Sequence, residues 1–193
     1  MRVVAGSAGG IHLSIPKHTD LRPTMDMVKG AIFSSLADLI EGARVLDLFA
    51  GTGGLGIEAL SRGASSATLV EKDRRAITAI EANLEKTGLT GAVVQQMDVF
   101  SYLDKLATPG SFQLILADPP YAKAPGDRDF SKELLASENL QRALTPDGIF
   151  VLEHLPGEKL PLRENWECFR QKRYGATEVA FLRVRPKDAP VSE

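Results

Sequence analysis

Two short stretches hold residues whose types and spacing can do chemistry. The first, DLFAGTGGLGIEAL, sets Gly51, Gly53 and Gly56 in G-x-G-x-x-G spacing, after an apolar run and before a helical pattern. Such a turn lets the backbone approach a nucleotide closely and aims helix N–H groups at it. The second, LADPPYAK, ends another apolar run with Asp118, Pro119, Pro120 and Tyr121. Neither proline has an N–H, so the Asp118 side chain and the Pro119 carbonyl form a rigid pair of acceptors with no adjacent donor to occupy them.

Three acidic residues accompany the glycines. Glu71 closes the next apolar run, about 20 residues on, where a carboxylate can accept from both hydroxyls of a ribose. Asp47 precedes the glycines, where the pyrophosphate of a dinucleotide would meet a repelling charge and a cationic amino-acid end would not. S-adenosylmethionine has such an end. Asp98 ends a third run and can accept from an adenine amino group, with the Val99 amide beside it. The alternative is that these carboxylates serve only as caps and turn residues.

An exocyclic amine needs the acceptors of the second stretch, because its lone pair is delocalised and it is a poor nucleophile. Two acceptors on its N–H bonds aim the lone pair at a sulfonium methyl group and favour a pyramidal nitrogen as the new bond forms. Tyr121 would stack on a flat substrate, contributing about 1 to 3 kcal/mol for a base, after the nucleotide is flipped out of its stack. The same chemistry serves guanine N2, adenine N6 in RNA or DNA, or a protein amide. A nicotinamide-dependent oxidoreductase is the rival that the glycines and Glu71 allow and that Asp47 and the prolines oppose.

The elements that must position these residues alternate strand and helix. RVLDLF, SATLVE, AVVQQMD and FQLILAD read as strands, with LGIEALSR and RRAITAIEANLEKTG as helices between them. That order predicts βαβ units around a parallel sheet. Ala76, Ile77, Ile80 and Leu84 share one helix face, with Gly88 placed for a left-handed cap. SKELLASENLQRAL is expected to form one further helix, PDG a turn and IFVLEH a fifth strand. WECFRQKRYGATEVAFLRV should form an antiparallel hairpin turning near Gly175. Before the first strand, Arg2 to Ala5 and Ile11 to Ile15 suggest a small hairpin, and LRPTMDMVKGAIFSSLADLI an amphipathic helix capped by Thr24 and ended by Gly42. The domain limits follow: 1–41 as hairpin and helix integral to the domain, 42–186 as the cofactor-binding domain, 187–193 as a disordered tail.

A chain of 193 residues, 44% of them hydrophobic, suits one α/β domain with a substantial core. The single cysteine, Cys168, excludes an intrachain disulfide and argues against a structural zinc site, so no metal is expected and a reducing cytoplasm fits. No apolar run approaches the ~18 residues of a membrane span. A net charge of −2 gives no general basic footprint for nucleic acid. Arg2, Lys17, Arg22, Lys29, Lys123, Arg128 and Lys132 could converge on one face or lie scattered.

RVVAG, LRPT followed by VK and Phe33, LDLFAGTGGLGIEALSRGA, VEKD, DPPY and KRYGATEVAFLRV occur in an order that resembles the RsmD family of 16S rRNA guanine-N2 methyltransferases, over nearly the whole chain. The resemblance implies a Rossmann-like class I methyltransferase fold with a seven-stranded, mostly parallel sheet whose last strand is antiparallel. It implies S-adenosylmethionine as methyl donor, S-adenosylhomocysteine as product, and guanine 966 of the small subunit or its assembly intermediate as target. It points to a cytoplasmic monomer with no membrane partner. Its cofactor positions fall on Arg22, Thr24, Asp47, Phe49, Ala50, Gly51, Thr52, Gly53, Gly56, Glu71, Lys72, Asp98 and Val99, and its catalytic motif on Asp118, Pro119, Pro120 and Tyr121. The chain departs from the family in GSAGGIHL, where Ala8, Gly10 and His12 stand at usually basic positions, and at Met27 and Gly30. Each lost phosphate contact would weaken RNA affinity and flatten its salt dependence.

Overall fold

The computed structural model describes residues 1–16, 26–122, 124 and 126–185. Four apolar runs become the parallel strands β1 (Arg44–Leu48), β2 (Ser66–Glu71), β3 (Ala92–Gln96) and β4 (Phe112–Ala117). β5 (Leu144–His154) continues the parallel set, and β6 (Trp166–Tyr174) and β7 (Thr177–Val184) form the closing hairpin. The sheet order is β3-β2-β1-β4-β5-β7-β6. β7 lies antiparallel between β5 and β6, which meets the expectation of a mostly parallel sheet with its last strand reversed.

Helices cover both faces, which is why the central strands are apolar on both sides. On one face α1 (Asp26–Ser35), α2 (Ala37–Ile40), α3 (Gly54–Ser61) and α4 (Arg74–Thr87) pack around Val45, Leu69, Leu114, Leu116, Val151 and Phe181. On the other α5 (Val99–Lys105), α6 (Phe130–Ala136) and α7 (Glu138–Ala143) pack around Leu46, Leu48, Ile115, Phe150, Leu152 and Trp166. α4 follows the sequence pattern closely, with Ala76, Ile77 and Ile80 buried and Gly88 capping at φ 64°. Among the described residues no helix is long and apolar enough to cross a membrane.

The structure divides two helices that the sequence pattern joins. The first breaks at Leu36, where bonds from Leu36 N to Phe33 O (3.2 Å) and Leu39 N to Leu36 O (2.7 Å) tighten the turn and interrupt the α-helical ladder. Its expected cap, Thr24, lies outside the described residues, as does the tail 187–193. SKELLASENLQRAL is split by Ser137, which turns extended and accepts from Leu140 N at 3.2 Å, capping α7. The expected PDG turn is absorbed into β5 as an irregularity in which Gln113 of β4 faces residues 145–148.

The N-terminal segment forms a minimal antiparallel pairing, Arg2 opposite His12, laid on α3. Glu58 of α3 accepts from Val4 N (2.7 Å) and Ala5 N (3.1 Å), and Ser61 O accepts from Ser7 N (2.7 Å). Val3, Ala8, Leu13 and Ile57 form a small apolar cluster beneath it.

The chain winds outward from β1 to β3 and then returns to the other side of β1 as β4. The loops after β1 and β4 diverge at that switch point, opening the crevice where open α/β sheets bind ligands. Leu48 is level with Ala117, so the glycine loop and Asp-Pro-Pro-Tyr leave the sheet side by side.

Candidate active site at the carboxyl edge of the sheet

The glycine loop leaves β1 through Phe49, the one described non-glycine residue with positive φ, at 60°. A bulky side chain adopts that conformation only under constraint. The constraint is visible on both sides: Ala50 N donates to Val70 O at 3.0 Å, and Gly53, itself at φ 83°, donates to Ala50 O at 2.7 Å. Gly56 opens α3 against the sheet. A Cβ there would stand 2.9 Å from the Leu69 side chain and 3.2 Å from Asp47 Oδ2, so only glycine lets the helix start this close.

Asp47 is 1% exposed and accepts from Gly56 N at 2.8 Å. Burial, and to a lesser degree the nearby charges of Asp118 and Glu71, push its carboxyl up to about 7, against the pull of the Gly56 amide. Glu71 ties three backbone amides: Gly51 N at 2.9 Å on one oxygen, Lys72 N at 2.7 Å and Asp73 N at 2.8 Å on the other. Asp98 caps α5, one oxygen accepting from Phe100 N (3.0 Å) and Ser101 N (3.2 Å), and Val99 is buried behind it. All three carboxylates therefore do serve as acceptors for local backbone amides. They also stand at the ends of three strands around one crevice, which caps scattered over the surface would not. Among the described residues no group of side chains could hold a metal ion.

Asp118 and Tyr121 are half-buried, Pro119 is buried and Pro120 is exposed. The Tyr121 hydroxyl lies 3.3 Å from Thr177 Oγ1, the first residue of β7. Thr177 faces Tyr174 across the β6–β7 turn, and Tyr174 packs on the apolar layer of the first face. DPPY and RYGAT, distant in the chain, thus meet at one edge.

Lys17, Arg22, Thr24 and Lys123 lie outside the described residues. The sequence leaves two arrangements open for the basic residues, and the described ones do not converge as a free patch. Lys29 is fully buried, 3.4 Å from Glu58, and donates to Arg2 O at 2.6 Å. Desolvation lowers its ammonium pKa, with Glu58 opposing the fall. Arg2 pairs with Asp26, and Arg128 with Glu133. Of the four positions that lack the family's usual basic residues, Ala8 is buried at 3% exposure, while Gly10, His12 and Met27 face solvent.

Sequence reasoning singles out Phe49, Lys72 and Arg128 but not the rings of Phe100 and Phe130 that they meet. Phe130 packs edge-on to Phe49 at 5.2 Å and stacks on Phe100 at 6.3 Å. Arg128 lies over the rings of Phe100 and Phe130, and Lys72 Nζ is 6.0 Å from Phe130. Asn83, fully buried in α4, donates to Thr52 O at 3.0 Å and Ser14 O at 3.1 Å and accepts from Ser14 N at 2.7 Å. Glu58 carried a readable signal, as the one charged residue of an otherwise small and apolar helix; Asn83 and Phe130 carried none.

The family model described as Conserved hypothetical protein 95 matches residues 1–183. Ribosomal RNA small subunit methyltransferase D of Escherichia coli (strain K12) is 34% identical over 182 residues, spanning 94% of this chain and 87% of that protein. The solved structure of a hypothetical protein from Thermus thermophilus superposes with a TM-score of 0.77 at 31% identity, covering 95% of this chain and 99% of that one. The T. thermophilus 16S rRNA N2 G1207 methyltransferase RsmC, solved with AdoMet and guanosine, shares the fold at TM-score 0.64 and 22% identity, over 88% of this chain and 45% of that one.

Proposed function

The chain belongs to the Conserved hypothetical protein 95 family, and on that premise we propose that it methylates N2 of a guanine in small-subunit 16S rRNA with S-adenosylmethionine as donor. The observation that carries this reading is the pairing of β1 with β4, which sets the glycine loop beside Asp118 at the switch point. The donor set suits the cofactor. A buried acid at Asp47 fits a cationic amino-acid end, Glu71 a ribose diol, Asp98 and the Val99 amide an adenine edge, and Phe49, Ala50, Gly51, Thr52, Gly53, Gly56 and Lys72 line the way between them. Arg22 and Thr24 are assigned to the methionine end by family resemblance.

When bound, S-adenosylmethionine supplies an electrophilic methyl group and leaves as S-adenosylhomocysteine. The protein's own contribution is positional. The Asp118 carboxylate and the Pro119 carbonyl accept the two N–H bonds of the guanine amine, which turns its lone pair toward the donor. Tyr121, braced through its hydroxyl by Thr177, offers its ring face to the base. The methylated nitrogen then loses a proton readily, since an anilinium-like nitrogen is strongly acidic. A small-subunit substrate is in keeping with a cytoplasmic monomer that acts on the subunit or its assembly intermediate.

The test is incubation with labelled S-adenosylmethionine and small subunits from cells lacking their own enzyme, followed by nucleoside mass spectrometry and mapping. The expected product is N2-methylguanosine at one position, 966 by the family resemblance. Label found only in N6-methyladenosine, or only in protein, would overturn the assignment.

A further inference from the structure

Glu153 stands at the carboxyl end of β5, 3% exposed, on the sheet edge that holds the crevice. Its place relative to the proposed catalytic motif follows from register. Ala117 of β4 is level with Leu152 of β5, so Asp118, the first residue past β4, and Glu153 of β5 come next along neighbouring parallel chain directions, whose spacing in a sheet is about 4.8 Å. Side chains alternate between faces. Leu116 and Val151 lie in the apolar layer of the first face, Ala117 and Leu152 in that of the second, so Glu153 returns to the first. Asp47, level with Leu116, is on that face too, and the charge of Asp118 is felt there.

The β7 side gives a second fix. Glu153 pairs with Val179, and Thr177, two residues away on the same face, holds the Tyr121 hydroxyl. Glu153 is therefore flanked by Asp118 on one side and by the Tyr121–Thr177 contact on the other. A carboxylate at that position is placed to accept from a donor that enters the crevice.

We propose that Glu153 is the specificity-determining residue that reads N1–H of the target guanine, while Asp118 takes the neighbouring amine. This inference rests on the guanine-N2 reading above and goes one step past it. Guanine presents two donors side by side on its Watson–Crick edge, N1–H and the N2 amine. Adenine presents an amine next to N1, a bare acceptor. Two adjacent carboxylates match the first pattern and repel the second, because a lone pair at N1 would face the Glu153 oxygens without a proton between them.

The test compares small subunits reconstituted with guanine or with 2-aminopurine at the target nucleotide. 2-Aminopurine keeps the reactive amine, replaces N1–H by an acceptor and lacks O6, so the dependence of the guanine preference on Glu153 is the readout. The wild-type protein should methylate guanine faster, and Glu153→Gln should lower kcat/KM for guanine by about 10- to 100-fold while leaving 2-aminopurine undiminished or raised, since the amide N–H can donate to its N1. Equal losses on both substrates would make Glu153 structural and overturn the proposal, as would an unchanged rate on guanine. Should Glu153→Gln fail to fold, the wild-type protein still decides: equal rates on the two bases overturn the proposal. A wild-type protein that leaves guanine unmodified but methylates adenine overturns the guanine assignment itself, and is told apart by the identity of the methylated nucleoside.

Discussion

The Tyr121 hydroxyl and Thr177 Oγ1 lie 3.3 Å apart, joining the proposed catalytic motif to the hairpin at the far edge of the sheet. A ring meant to hold a base flat must itself be held, and two prolines fix only the backbone before it. Thr177→Val should therefore lower kcat/KM on small subunits by a few-fold, in keeping with about 0.5–1.5 kcal/mol for one hydrogen bond. Tyr121→Phe should do the same, and the double variant no more than either alone. Additive losses in that cycle would separate the two residues functionally.

Asp118→Ala should lower kcat at least about 100-fold, the scale of losing one aligned electrostatic partner in a transition state. S-Adenosylmethionine affinity, measured by calorimetry, should stay within a few-fold. Parallel loss of both would assign Asp118 to cofactor binding or to folding.

Asp47 gives a pH signature. Its carboxyl is pushed from 3.8 up to about 7 by burial first. Below 3.8 the folded and unfolded chains both hold the proton; between 3.8 and 7 only the folded one does, so this residue's contribution to stability falls as pH rises and levels off above 7. Asp47→Asn keeps an acceptor for Gly56 N and removes the titration. Its thermal stability relative to wild type should therefore improve steadily from about pH 4 to about pH 7. A cationic ligand beside Asp47 favours the charged form, so wild-type cofactor affinity should weaken below about pH 7 and that of the Asn variant should be weaker and flatter. A pH-independent stability difference would place the proton elsewhere.

Asn83 is the hidden support of the glycine loop. Its amide satisfies Thr52 O and both backbone groups of Ser14. Asn83→Ala leaves buried partners unsatisfied and should cost about 2–4 kcal/mol in urea unfolding. Cofactor affinity should fall as well, because Thr52 belongs to the loop.

The buried ion pair should respond unequally to loss of its two members. Glu58 also holds Arg62 at 2.7 Å and the amides of Val4 and Ala5. Glu58→Leu strands a buried ammonium and two amides, and should cost about 3–5 kcal/mol. Lys29→Met leaves Glu58 with three donors and should cost clearly less. Denaturant midpoints measure both, and equal costs would mean that Lys29 is the principal anchor.

Much of this architecture is legible because it is local. The period of α4, the glycine at its end, the apolar runs of β1, β2 and β4, and the proline pair after Asp118 each depend on residues within a few positions. The two divided helices escape a sequence reading for a local reason too: Ser137 favours a cap as much as a helix, and only the packing of α6 and α7 decides between them. Which of the described basic residues share a face is not legible either, because side-chain type does not reveal which way a lysine points, and Lys29 points inward to Glu58.

The sequence by itself determined that this chain is an alternating α/β domain, and it marked the loop after the first strand and Asp-Pro-Pro-Tyr as the stretches proposed to take a nucleotide-like ligand and an amine. The tertiary structure decided which carboxylates are neighbours. Period-two alternation tells which face of a strand a side chain occupies, but not which strand lies alongside. That choice, set by burial across the whole sheet, lays β4, which leads into Asp118, beside β5, which carries Glu153, and brings Tyr121 against Thr177.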